Sequence, residues 1–239
     1  MRPWYVGTAG WSIPRAASQL CTGDGTHLQR YASVFGCAEI NSSFYKPHAP
    51  ATYARWAAST PAGFRFSVKL PKDITHVRKL RRSRAPLERF LEESAGLGSK
   101  RGPLLVQLPP SFAFDARVAD RFFSLLRSLY TGPVACEPRH PSWFGRGEAL
   151  LSRHEVARVA ADPPQGPAGG EPGGWSGLAY YRLHGSPRPY WSSYDRAALD
   201  RFAASVGRCH GDVWCIFDNT AAGAALENAW YVQHELVSR

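Results

Sequence analysis

With 239 residues, 44% of them hydrophobic and 13% aromatic, the chain has apolar mass for a full core, and one domain over 1–239 is expected. No apolar stretch approaches a membrane span, and Met1-Arg2-Pro3-Trp4 opens without a signal-like apolar region, so a cytoplasmic protein with no membrane partner is expected. The formal charge of +10 points to an anionic partner, and five cysteines without a C-x-x-C pair argue against a disulfide framework.

β-Branched and aromatic residues bounded by turn formers predict strands at 4–8, 37–41, 64–70, 104–108, 134–138, 156–161, 178–184 and 213–218. Helical patterns cover 28–36, 50–59, 85–97, 115–130, 145–154, 195–208 and 221–237, with Asp115 and Asp195 at N-cap positions. The alternation breaks once. Residues 162–177, with their repeated Pro and Gly, support neither a helix nor a packed strand, and leave a loop in place of the sixth helix, either an idle insertion or a lid. Cys37, Cys136 and Cys215 fall inside strands and read as small buried hydrophobes.

Eight such units predict an α/β fold, a TIM-like (β/α)8 barrel of parallel strands with its sixth helix replaced by a Pro/Gly-rich loop. Strand parity argues against an open sheet. Phe64, Phe66, Val68 and Leu70 oppose Arg65, Ser67 and Lys69, and Tyr181 and Leu183 oppose Tyr180, Arg182 and His184. A sheet with helices on both faces needs both parities apolar, whereas a barrel turns one parity inward, so the polar parity is expected to line the lumen and its rim.

The polar residues concentrate at strand ends: Glu39 and Asn41, Lys69, Gln107, Glu137 and Arg139, Arg182 and His184, Asp218 and Asn219. Barrel enzymes work at that end, so these residues are expected to share one mouth. Glu39, Glu137, His184 and Asp218 are the catalytic candidates, as acids, bases or proton carriers, and a structural salt-bridge network is the equal alternative for each acid. Asn41, Tyr45, Lys69, His76, Gln107, Arg139, His140, Trp143, Arg182 and Asn219 are the ligand-binding candidates. His76, His140 and His184 with the nearby acids offer donors to a divalent metal, though no spacing demands one, and Lys69 also admits a Schiff-base role.

Between Lys69 and Arg84, seven basic residues face the single acid Asp73, a local field suited to phosphate or another polyanion or merely a solvated basic loop. Trp11, Phe44, Tyr45, Trp143, Tyr190, Trp191 and Tyr194 crowd the predicted loops, where they suit stacking on bases or sugars, or simple loop packing. There is no G-x-S-x-G elbow, P-loop, H-E-x-x-H pair or glycine fingerprint after a strand, which disfavours the chemistries those motifs serve.

The segments Gly7-Thr8-Ala9-Gly10-Trp11, Glu39-Ile40-Asn41-Ser42-Ser43-Phe44-Tyr45, Phe66-Ser67-Val68-Lys69, Ile74-Thr75-His76, Gln107-Leu108-Pro109-Pro110, Glu137-Pro138-Arg139-His140-Pro141-Ser142-Trp143, Arg182-Leu183-His184-Gly185 and Phe217-Asp218-Asn219, in this order, resemble the domain of unknown function 72 family, the YecE-like proteins. The resemblance implies a TIM-barrel-like fold, again in the cytosol, and no settled activity, so it carries over no catalytic roles. The chain departs from the family pattern at Ala9, where Ser is usual, at Pro138 between Glu137 and Arg139, at Asp218, where Asn is usual, and in a 12–27 loop without Tyr.

Together these features lead to an expected hydrolase cleaving phosphodiester bonds in a nucleic acid or nucleotide at the rim. A non-catalytic nucleic-acid-binding protein and a carbohydrate-active barrel using paired carboxylates remain the alternatives.

Overall fold

The computed structural model describes residues 4–166, 168–207, 209 and 211–237. Its strands are β1 (Trp4–Ala9), β2 (Cys37–Ile40), β3 (Arg65–Lys69), β4 (Arg101–Gln107), β5 (Val134–Glu137), β6 (Val156–Arg158), β7 (Ala160–Asp162), β8 (Gly173–Gly174), β9 (Leu178–Leu183) and β10 (Asp212–Phe217). The helices are α1 (His27–Ala32), α2 (Ser42–Tyr45), α3 (Pro50–Ala58), α4 (Arg84–Ser94), α5 (Ala116–Leu129), α6 (Arg146–Arg153), α7 (Arg196–Val206) and α8 (Ala224–Val237). All strands join one sheet in the order β7-β9-β10-β1-β2-β3-β4-β5-β6-β8.

Only Val159 separates β6 from β7. The single predicted strand 156–161 is therefore one bent strand, pairing in parallel with β5 along its first half and with β9 along its second. Through this bend the sheet nearly closes on itself, which gives the expected barrel-like α/β fold. The Pro/Gly-rich segment corrects one expectation, because Gly173 and Gly174 form a short antiparallel strand on Arg158 and Ala157. Its backbone is held further by Arg158, which donates to Ala168 O at 2.9 Å, and by Glu148, which accepts from Gly174 N at 2.7 Å. These bonds hold the returning chain at Gly173–Gly174 along β6. Residue 167 of this segment, and residue 208 at the end of the expected helix 195–208, lie outside the described residues.

The helices form where local chemistry favours them. Asp115 accepts from Arg117 N and Val118 N, both at 3.1 Å, and Asp195 accepts from Ala198 N at 2.7 Å, so both expected N-caps are in place. Ala119, Phe122, Phe123 and Leu126 follow the i, i+3, i+4, i+7 spacing and are the buried face of α5. Gly7 is required by close approach, since a Cβ there would lie 2.2 Å from Cys37 O and 2.8 Å from the Tyr31 hydroxyl. That hydroxyl donates to Cys37 O at 2.9 Å and accepts from Thr8 N at 2.8 Å, pinning α1 across β1 and β2. All five cysteines are free, with Cys37, Cys136 and Cys215 buried in their strands. No helix among the described residues is long and apolar enough to cross a membrane.

Two apolar clusters flank the barrel wall. The larger lies between strands and helices. The smaller includes Cys37, Leu105, Ala135, Leu178, Tyr180, Trp214 and Ile216, which share strand parity with the polar strand ends. The polar parity thus holds only near the C-terminal ends of the strands, and the lumen floor is apolar. Tyr5 stacks on Trp214 at 4.7 Å and Trp214 lies parallel to Tyr180 at 6.1 Å, filling that floor with rings.

Candidate site at the barrel mouth

The Tyr180 hydroxyl marks the transition from ring to ion, lying 2.8 Å from Glu39 Oε2 and 2.7 Å from Ser67 Oγ. Immediately above it Arg182, fully buried, is the hub of the lumen. It donates bidentately to Glu39, from Nη2 to Oε1 at 2.6 Å and from Nε to Oε2 at 3.0 Å. Its remaining bonds run to Glu137 Oε2 at 2.7 Å and Asp218 Oδ2 at 2.9 Å. Three carboxylates from β2, β5 and the end of β10 thus converge on one guanidinium, whose planar fork of donors suits the arrangement as no point charge would.

A second tier rests on this hub. His184 places Nδ1 3.0 Å from Asp218 Oδ2 and Nε2 3.0 Å from Glu137 Oε1. Gln107 donates to Glu137 Oε2 at 2.9 Å. Arg139 brings Nη2 within 3.0 Å of His184 Nε2 and Nε within 2.6 Å of Glu137 Oε1, the latter an ion pair too bent for a hydrogen bond. Pro138 removes a backbone donor just past β5 and ends the strand between Glu137 and Arg139.

The electrostatics follow from this pairing. Burial alone would push the Glu137 carboxyl up and the Arg182 guanidinium down. For Glu137, Arg182, Arg139 and His184 outweigh burial and hold the carboxyl well below the usual range. Asp218 is lowered against its own burial by Arg182 first and then His184, while the three carboxylates raise Arg182. Folded values below the unfolded ones mean stability that is complete above the unfolded carboxyl range and lost as pH falls through the folded values. Glu137→Gln is therefore expected to flatten the acid limb of a stability-versus-pH curve, read by urea unfolding between pH 6 and 2. A limb as steep as the wild type's would show that Glu137 contributes nothing to it.

Lys69, at the end of β3, is the exception. Its residue is 8% exposed, yet among the described residues its amine has no hydrogen bond or ion pair, only the Phe44 ring, 4.3 Å from Nζ to centroid. Burial first, then Arg182, lowers it to about 8, although Glu39, Glu137 and Asp218 pull the other way. His76 packs edge-on to Phe44 at 4.9 Å. Its pKa is lowered to about 4 by burial and by Lys69, Lys72 and Arg139, which keeps it neutral at pH 7 and unsuited to shuttling protons there.

Glu39, Lys69, Gln107, Glu137, Arg139, Arg182, His184 and Asp218 therefore form one electrostatic cluster, as strand parity requires. Other candidates take different places. Trp143 is fully buried, donates from Nε1 to Phe112 O at 2.9 Å and packs on Phe112 and Phe114, so its ring is a packing element and not a ligand platform. His140 accepts from Ser142 N at 3.2 Å and caps the turn Pro141–Trp143. Asn219 donates to Ser192 O at 2.9 Å and Asn228 Oδ1 at 2.8 Å, tying the 185–194 loop to α8. Asn41 Oδ1 is buried without a partner among the described residues, and Tyr45 stands 79% exposed. Tyr190, edge-on to His184 at 5.5 Å, and Arg188 over Trp191 at 4.5 Å stand on the loop after β9. Tyr190, expected only as one of several loop aromatics, thus lies against His184, a contact that its loop position alone does not reveal.

No group of three or more His, Cys, Asp or Glu among the described residues is arranged to hold a metal ion. The carboxylate oxygens that would serve are instead engaged by Arg182, Gln107, Arg139 and His184.

A family model described as protein of unknown function DUF72 matches residues 5–239. UPF0759 protein YecE of Escherichia coli K12 is 32% identical over 146 residues, 60% of this chain and 51% of that protein, so the match spans about half of the relative's length. UPF0759 protein YunF of Bacillus subtilis is 23% identical, with 94% of this chain and 91% of that protein covered. The fold is shared by solved DUF72 family proteins. EF0366 of Enterococcus faecalis has a TM-score of 0.82 at 21% identity, covering 98% of this chain and 96% of that one. TM1631 of Thermotoga maritima has 0.79 at 24%, covering 98% and 99%.

Proposed function

The chain belongs to the DUF72 family, and we propose that its barrel mouth binds a phosphate-bearing ligand, a nucleotide or nucleic-acid strand, and hydrolyses a phosphate ester of it. The observation that carries this reading is the Lys69 amine, a buried cation that no acid neutralises by direct contact, with a partly exposed Arg139 that acts together with it on His76. Phosphoryl transfer asks for positioning and charge stabilisation more than for a strong base, and these two cations supply both.

The carboxylates then divide by accessibility. Glu39 and Glu137 are sealed, and they hold Arg182 and Arg139 in place. The Asp218 side chain is 12% exposed and is the acid that can orient an attacking water. Water forms a bond to phosphorus and releases its proton to solvent as the P–O bond to the ester oxygen breaks, and that leaving oxygen takes a proton from solvent. A glycosidase would need one carboxyl held protonated, whereas Glu137 and Asp218 are both pulled down, so neither of these two suits the role of that acid.

An anion beside Lys69 raises its pKa, so binding at pH 8.5 should be accompanied by proton uptake. Calorimetry of a short oligonucleotide in two buffers of different ionisation heat should show it, with affinity falling above pH 8. Lys69→Met is expected to weaken binding at least tenfold at pH 7 and to abolish the uptake, and wild-type binding by this variant would end the proposal. Asp218→Asn separates the chemistry, since an enzyme loses turnover with binding kept, whereas a pure binding protein has none to lose.

A further inference from the structure

Away from the mouth, the turn between β3 and α4 has an unusual backbone. Lys79, Leu80 and Arg82 all have positive φ, at 46°, 68° and 49°. For residues with a Cβ, such values lie in the disfavoured left-handed region, and a cluster of them is a reason to look for function. Nothing in the mouth requires them. Two of them, Leu80 and Arg82, line a groove of about 530 Å³ between the start of α4 and the side of α5, within the range of about 300–1,000 Å³ usual for small-molecule sites.

The lining has two parts. Leu80, Val118, Phe122 and Leu125 make an apolar floor, while Arg81, Arg82, Arg84 and Arg121 stand around it. Two of these are braced, Arg81 by Asp115 at 3.3 Å and Arg84 by Glu88 at 3.2 Å. Arg82 and Arg121 have no ion pair among the described residues. Ser83 sits at the N-cap position of α4, but its hydroxyl turns to donate to Arg81 O at 3.2 Å and accepts no bond from the helix, leaving the Arg84 and Ala85 N–H groups without a side-chain cap. The helix end, with its partial positive charge, opens onto the four guanidinium groups.

We propose that this groove is a second binding site, for a nucleoside di- or triphosphate, with the phosphates on Arg82, Arg121 and the start of α4 and the base on the apolar floor. Four arginines match several phosphates better than one, the floor matches a ring that inorganic anions lack, and the volume matches a mononucleotide, not a duplex. The site does not depend on the hydrolase reading, since it shares no residue with the mouth.

The test is equilibrium titration of the full chain with a fluorescent N-methylanthraniloyl ADP, with adenosine and inorganic pyrophosphate as competitors. Arg82→Ala with Arg121→Ala, both exposed positions, should leave the thermal melt unchanged and the affinity for a short oligonucleotide within twofold of wild type, and weaken binding of the fluorescent ADP at least tenfold. Adenosine and pyrophosphate should each compete at least tenfold more weakly than ADP. The proposal is overturned if the double variant binds the fluorescent ADP like wild type, if its oligonucleotide binding falls by the same factor, which would put both ligands in one site, or if pyrophosphate competes as well as ADP. Absence of binding at millimolar ligand overturns it as well.

Discussion

Arg182→Met is expected to destabilise the protein by about 3–5 kcal/mol at pH 7, enough to abolish folding in a domain of ordinary stability. The reason is not that the intact network is strongly favourable, because desolvating Arg182 with Glu39, Glu137 and Asp218 consumes much of their mutual attraction. Removing the one cation leaves two sealed carboxylates and one nearly sealed beneath Lys69 and Arg139, with their oxygens stranded. Arg182→Lys should recover only a minor part, since an ammonium cannot span four bonds to three acids. The pH response gives a second, independent reading. Without Arg182, burial dominates and the Glu137 and Asp218 pKa values rise, so the variant's deficit against wild type should shrink as pH falls from 8 to 5. Urea unfolding of both proteins across that range measures size and pH response, and a loss under about 1 kcal/mol that is the same at every pH would show that the carboxylates relax into water.

That network also marks where the sequence stops being readable. The parity of Glu39, Glu137 and Arg182 placed them on the inner wall, because a strand period of two leaves no choice once the opposite face is apolar. Parity fixes direction, but not depth. Nothing in the spacing says that Tyr5, Tyr180 and Trp214 fill the lumen below and lift the charges to the rim, so polar lining was expected over more of the wall than the fold provides. Partner choice is equally long-range, with Arg182 and Glu39 lying 143 residues apart. The kink at Val159 and the two-residue β8 arise from closure of the sheet, a tertiary demand that overrides the local pattern. Trp143 was misassigned because an aromatic after a strand end looks the same whether it faces the mouth or, as here, packs under Phe112.

Lys69→Met is expected to make the protein more stable, not less. In the unfolded chain the amine titrates near its ordinary 10.5, while in the fold burial and Arg182 lower it to about 8. The folded state thus binds the proton less tightly, and between pH 8 and 10.5 the unfolded state carries more protons, so wild-type stability should rise with pH through that window. Below it the charged amine costs the fold about 3 kcal/mol, from 2.5 pKa units at 1.36 kcal/mol each. Methionine, of similar length and uncharged, removes that cost and keeps contact with the Phe44 ring. The variant should therefore be more stable at pH 7 by an amount of that order, with the advantage gone by pH 10.5. Denaturant melts of the two proteins at pH 7, 8.5 and 10 would show it, and an advantage that does not shrink with pH would assign the gain to packing instead of charge. A residue that destabilises the fold it sits in, on a strand end where Met or Leu would serve packing better, is what the proposed anion-binding role of its charge at the mouth calls for. Stability gained and anion binding lost in the same variant would together tie the Lys69 ammonium to function.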